Sequence, residues 1–272
     1  MIGTLFAQEF RATKKSLVAA TGTVVLVAAV SLVFAALNVP VLGSLGLFLG
    51  IAGFIVLVPV ILCLLAESYW RTMYGREGYF TMVIPVRGRT LFTAKLVYGL
   101  LISVVAMIVT AVGLLGAAFA FALSLHKDPW TFIGDGLADI QPWMVWLGVS
   151  TTVLQVAYLV VAGSALMTIG AEGRFNHLGF GAPVIGAVAL YLVMQVVTFI
   201  GILFIPLGIR LTGPDAGELV PQGMLDGVMA AIADPASQPD VLGLGFVFTT
   251  IATMVLLAWW GGRSVERHTS LR

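Results

Sequence analysis

Few side chains in this sequence carry chemistry, and most of them stand apart. The three histidines, His126, His177 and His268, and the one cysteine, Cys63, fall in different segments. No HExxH occurs and no Cys/His spacing suits a metal, so neither a zinc site nor an internal disulfide is expected. Gly163-Ser164-Ala165 lacks the GxSxG frame of a nucleophile and reads as a packing contact between helices. No GxxxxGKS/T occurs, so ATP is not bound here through a P-loop. No catalytic residue, metal or cofactor is expected on the chain itself. What remains is a set of polar residues inside apolar runs, Gln155, Tyr158, Gln195 and Thr198 among them, with the two glutamines the most informative. An amide in hydrocarbon must find a partner, either a neighbouring helix or a passing cargo. These four are the candidate pathway-lining residues, suited to an apolar or amphipathic cargo. No apolar run carries a carboxylate or histidine at its centre, where an ion-coupled carrier would hold one.

The elements that must position these residues are membrane spans. Of 272 residues, 60% are hydrophobic and only 10% charged, and the mean hydropathy is +1.05. A soluble domain carries about 25% charge, so a cytosolic enzyme, a nucleic-acid binder and a secreted module are all excluded. Crossing the roughly 30 Å hydrocarbon core takes about 20 apolar residues. Six segments qualify: 16–37, 44–66, 96–125, 143–169, 180–205 and 241–262. Nothing alternates as a transmembrane β-strand would, so the expected fold class is an all-α membrane protein with six transmembrane helices in residues 16–272. The first apolar run, with 15 residues before it, is too long for the core of a cleaved signal peptide.

Charge sets the orientation. Of the 14 Lys and Arg residues, all but Lys127 and Arg210 fall on one side of this six-span scheme. Cytoplasmic loops collect basic residues, so both termini are expected in the cytoplasm of a cell inner or plasma membrane. Most of the acid lies on the opposite face, in 126–142 and in the Pro-, Gly- and Asp-rich stretch 206–240. Within that stretch, 221–233 reads as a surface or re-entrant helix. Trp130 and Trp143 suit interfacial anchors.

Residues 1–15 read as an amphipathic helix lying in the interface plane. Ile2, Leu5, Phe6 and Phe10 share one face, and Arg11, Lys14 and Lys15 fall opposite. Glu9 breaks the pattern by falling within the apolar arc. It is either a snorkelling, solvated side chain or one half of an ion pair with Arg71, Arg76, Arg87 or Arg89 of the next cytoplasmic loop. That loop, 67–95, mixes five basic residues with Tyr69, Trp70, Tyr74, Tyr79 and Phe80. The second helix is expected to continue to about Tyr74, and Pro85 to end any short helix at Ile84. An apolar cluster beside a basic one marks a docking surface for another protein, or insertion into headgroups.

Within the loop, Glu77 to Lys95, EGYFTMVIPVRGRTLFTAK, resembles a signature of ABC-2 type exporter permeases, "GYLxxTLPVxxxxLLxSK" between their second and third helices. Gly78, Tyr79, Phe80, Thr81, Pro85, Val86, Leu91 and Lys95 carry the match. The layout is similar too: an amphipathic N-terminal helix, six spans, both ends inside, and a long outer segment before the last helix. The resemblance implies a coupling helix that inserts into a groove on a separate ABC ATPase subunit. Its residues here would be Glu77, Tyr79, Phe80, Thr81, Met82, Ile84, Pro85, Arg87, Arg89 and Lys95. It further implies ATP and Mg on the partner ATPase, a second permease (the same or a related chain), and a bacterial setting. The expected function is then the permease subunit of an ATP-driven exporter. The alternative is a membrane scaffold that recruits a cytoplasmic partner without transport.

Overall fold

The computed structural model describes residues 2–75, 77–79, 86–138, 140–234 and 238–267. The described residues divide into two compact units, 2–141 and 142–267. Among the described residues six helices are long and apolar enough to cross a membrane, three in each unit, as in a multi-pass membrane protein. Large apolar side chains such as Val112, Phe199 and Leu256 are exposed along them, as lipid-facing surfaces should be.

In the first unit, α1 (Ile2–Ala36), α2 (Leu42–Met73) and α3 (Gly88–Ser124) pack against one another pairwise. At about 1.5 Å per residue each is roughly 50 Å long, well beyond the hydrocarbon thickness. The N-terminal amphipathic segment is therefore not a separate helix in the interface plane, as expected from its charge pattern. It is the first four turns of α1. No proline precedes Pro40, and no glycine lies between Gly3 and Gly22, so nothing in the sequence breaks the helix there. Leu5, Thr13 and Leu17 are buried on its inner face, eight and four residues apart.

Glycines let these helices approach. A Cβ on Gly46 would lie 2.3 Å from the Ser31 carbonyl oxygen, and one on Gly50 would lie 2.5 Å from the Leu32 side chain. Gly113 of α3 leaves the space that the Phe54 ring fills, 2.1 Å from where a Cβ would stand. Around these contacts Ala28, Leu32, Ala35, Phe54, Ala117 and Ala120 form one core cluster. Leu17, Leu57, Ile61 and Ala106 form a second. Small residues with one large aromatic are what tight helix packing in lipid requires, where dispersion replaces the hydrophobic drive. The unit ends in a short helix, α4 (Pro129–Ala138), which was not expected in the 126–142 loop. Asp128 caps it, accepting from the Thr131 amide at 2.9 Å, and Pro129 takes the first helical position, where its missing N–H costs nothing. Trp130 and Phe132 pack edge-on against Phe119 and Phe121 of α3.

The second unit contains α5 (Pro142–Gly170), a 3₁₀ turn (Gly173–Leu178), α6 (Gly181–Phe204), α7 (Leu225–Ala233) and α8 (Gly245–Arg267). A small antiparallel sheet interrupts the helices, with strand order β2-β1-β3. Its strands are β1 (Gly208–Arg210), β2 (Leu219–Val220) and β3 (Val241–Gly243). Ile209 lies opposite Leu219 on one side and Leu242 on the other. The sheet moves the start of the last helix from the expected 241 to Gly245, because 241–243 is a strand. It also places α7 between β2 and β3, so the expected helix in 221–233 is present but shorter. Strands of two or three residues show no alternation that a pattern could catch.

Candidate functional site

In the first unit the first three helices meet in a polar cluster at their basic end. From α1 come Glu9 and Thr13; from α2, Ser68, Tyr69 and Thr72; from α3, Lys95 and Tyr98. Residues 91, 92, 94, 95, 98 and 99 form the buried face of the first turns of α3, so helical periodicity alone turns Lys95 inward. Its side chain is 2% exposed and pairs with Glu9, itself 13% exposed. The same ammonium donates to Thr72 Oγ1 at 2.7 Å and stands 6.0 Å from the centre of the Tyr69 ring. Thr72 in turn donates to the Ser68 carbonyl at 2.7 Å. Beside this group the Thr13 and Tyr98 hydroxyls are hydrogen-bonded, and Phe6 meets the Tyr98 ring edge-on at 5.5 Å.

Glu9 therefore is ion-paired, which overturns the solvated alternative, and its partner among the described residues is Lys95 rather than Arg71, Arg87 or Arg89. Arg71 instead holds Glu67 at 3.1 Å and Glu77 at 3.5 Å. Arg87 and Arg89 are exposed at the start of α3. Arg76 lies outside the described residues. Arg71, Arg87 and Arg89 have exposed side chains on the loop's flanks, whereas Glu9 is 13% exposed and meets Lys95 inside the helix bundle. Lys95, grouped from the motif with the partner-facing residues, is buried within the support of that segment.

The loop these helices carry is described in part. α2 ends at Met73, close to the expected Tyr74, whose amide still bonds the Trp70 carbonyl at 2.9 Å. The Tyr74 ring lies 5.7 Å from Trp70 and 6.3 Å from Tyr69. Glu77 is tethered to α2 through Arg71, and Tyr79 is 55% exposed. Phe80, Thr81, Met82, Ile84 and Pro85, and with them the expected helix end at Ile84, lie outside the described residues.

In the second unit the four candidate pathway residues come together. Gln155 and Tyr158 on α5 and Gln195 and Thr198 on α6 line one cleft of about 500 Å³, closed on a third side by Phe246 and Thr250 of α8. The rest of its wall is aliphatic or aromatic, with Met194 and Tyr191 among it. Gln155 and Gln195 are exposed to the cleft side of their helices. No hydrogen bond within the chain engages either amide among the described residues. The arrangement offers donors and acceptors at two places on an otherwise apolar wall, the usual make-up of a small-molecule site.

Sequence reasoning missed Thr13, Ser68, Thr72 and Tyr98. Hydroxyl residues inside helices commonly bond their own backbone, so no pattern separates those that also reach another helix. The signal for Lys95 was available: it sits four residues after Leu91 and three before Tyr98, on the stripe that continues as the apolar face of the span. No protein-family model, no curated protein and no solved structure matches the chain.

Proposed function

We propose that the chain is the membrane-spanning subunit of an ATP-driven exporter of ABC-2 type, moving an apolar or amphipathic substrate out of the cytoplasm with energy from a separate ATPase. The observation that carries this reading is the buried Glu9–Lys95–Thr72 cluster. A buried ion pair is weak as a source of stability, since desolvation offsets much of the Coulomb gain, but it fixes register. Here it fixes α1, α2 and α3 together where α2 leaves for the 74–87 loop and α3 returns from it. A force applied to that loop is passed to three spans at once. Such a linkage suits a chain that takes its energy from outside, because a conformational change needs a ligand or partner that binds two states differently. ATP closing a pair of partner ATPases supplies that difference, with the basic loops facing the cytoplasm and a second permease completing the transporter. Tyr79, exposed beside the tethered Glu77, and the neighbouring Phe80 are the aromatic anchors for the ATPase groove. The cleft of Gln155, Tyr158, Gln195 and Thr198 gives amphipathic cargo an apolar wall with two amides to orient it.

Affinity capture of the tagged chain from its own host tests this reading. A P-loop ATPase is expected in the captured material, and Tyr79→Ala with Phe80→Ala is expected to lose it while the chain still inserts. Capture without any ATPase, or capture unaffected by the double change, overturns the assignment. A different cytoplasmic protein held through Tyr79 and Phe80 would make the chain a scaffold.

A further inference from the structure

A second cleft lies in the second unit, at the end of α8 that carries Arg263 and beside the 3₁₀ turn that carries Arg174. Its volume is about 670 Å³, and Glu172, Arg174, Trp259, Trp260, Arg263 and Ser264 line it. It is separate from the cleft of the two glutamines and shares no lining residue with it. Its floor is built. The Glu172 side chain is 5% exposed; one of its oxygens accepts from the Ser264 hydroxyl at 2.9 Å, and the other meets Arg174 Nε at 2.8 Å. That pairing fixes Arg174 at the rim, where its side chain stays 59% exposed and its guanidinium lies 4.7 Å from the Phe175 ring centre. Arg263 is held differently, with its guanidinium 5.6 Å from the centre of the Trp259 ring. Among the described residues no carboxylate pairs with Arg263. The lining therefore carries two cations against one anion whose oxygens are already engaged.

We propose that this cleft binds the phosphate headgroup of an anionic phospholipid. Arg263 and Arg174 are the phosphate donors, and Trp259 and Trp260 are the aromatic shelf at the level of the headgroups. Guanidinium matches phosphate geometry through its fork of donors. The nearby Trp259 ring attracts that guanidinium without using up its hydrogen bonds. Indole rings at a span end sit where hydrocarbon gives way to headgroups, and basic pockets between spans take acidic lipid heads. The surface running away from the cleft decides between a lipid and a soluble phosphate. Trp259 and Trp260 are 60% and 45% exposed, and one turn further along the span Val255 and Leu256 are each 63% exposed. Acyl chains would lie along that surface, whereas a free phosphate gains nothing from it.

The test is thermal unfolding of the purified full-length chain in detergent, titrated separately with phosphatidylglycerol, phosphatidylcholine and inorganic phosphate. Phosphatidylglycerol is expected to raise the midpoint in a saturable way, and the other two to leave it unmoved. Arg263→Gln, which leaves the Glu172–Arg174 pair intact, is expected to weaken the phosphatidylglycerol effect about tenfold, the equivalent of one charge-assisted contact. Arg263→Lys should restore most of it. An equal response to phosphatidylcholine, an unchanged response in Arg263→Gln, or an equal response to inorganic phosphate would each overturn the proposal. If Arg263→Gln does not fold, photo-crosslinking of a phosphatidylglycerol analogue to the unaltered chain decides. Labelling at 259–264 supports the site, and labelling elsewhere alone rejects it.

Discussion

At the scale of single residues, the Glu9–Lys95 pair sets the sharpest expectations. Removing one member leaves the other charged, buried and unpaired, which costs about 3–5 kcal/mol for such pairs. Glu9→Gln and Lys95→Met should each lower the unfolding midpoint clearly. The two together should cost much less than the sum, because neither charge then remains behind. A double-mutant cycle read by thermal unfolding in detergent checks this, and additive losses would mean that the two groups do not act on each other. Thr72 should be coupled to Lys95 in the same cycle, since the ammonium donates to its hydroxyl. Arg71 should not, since its partners are Glu67 and Glu77.

At the scale of elements, the first unit depends on glycine faces. In Gly113→Val the new side chain would stand about where the Phe54 ring now lies. Phe54 is 5% exposed and packed in the cluster with Ala28, Leu32, Ala35, Ala117 and Ala120, so overpacking should cost about 1–3 kcal/mol. Phe54→Ala made in the same chain should recover part of that loss, because it vacates the volume the valine needs. A full loss in the double variant, measured by the same unfolding assay, would place the strain elsewhere. The long helices were legible in the sequence because twenty apolar residues in a row have few other fates. Their ends were less so. α1 absorbed the amphipathic segment for want of a breaker, and α8 began late because Val241–Gly243 pairs with β1. Pairing is a property of two segments, and neither three-residue strand announces it alone. Of the two candidate sites, the glutamine cleft was readable because an amide in an apolar run is conspicuous. The partner of Glu9 was not, because the choice between Lys95 and the nearby arginines turned on the rotation of α3, which begins at Gly88 rather than at 96.

At the scale of the whole molecule, the governing feature is the distribution of charge. Twelve of the 14 Lys and Arg residues fall on one side of the six-span scheme, the side that the proposed orientation, based on the positive-inside rule, puts in the cytoplasm. On a Cys63→Ser background, Arg87→Cys should resist an impermeant maleimide in intact cells and react after permeabilisation. Lys127→Cys should react in both. Arg87 and Lys127 are both exposed, so a failure to label cannot be laid to burial in the fold. Labelling of Arg87→Cys from outside would invert the topology and remove the proposed ATPase contact from the cytoplasm.

The ion pair also orders events in time. Glu9 and Lys95 are separated by 86 residues. At a synthesis rate of about 5–20 residues per second, the carboxylate is made roughly 4 to 17 s before its ammonium. During that interval α1 carries an acidic group on the face it must bury, with no partner to neutralise it. The first span is made first, but its polar end can settle only when the third arrives. A ribosome halted after α2 would leave a chain marked by one bare carboxylate, and the arrival of α3 removes the mark.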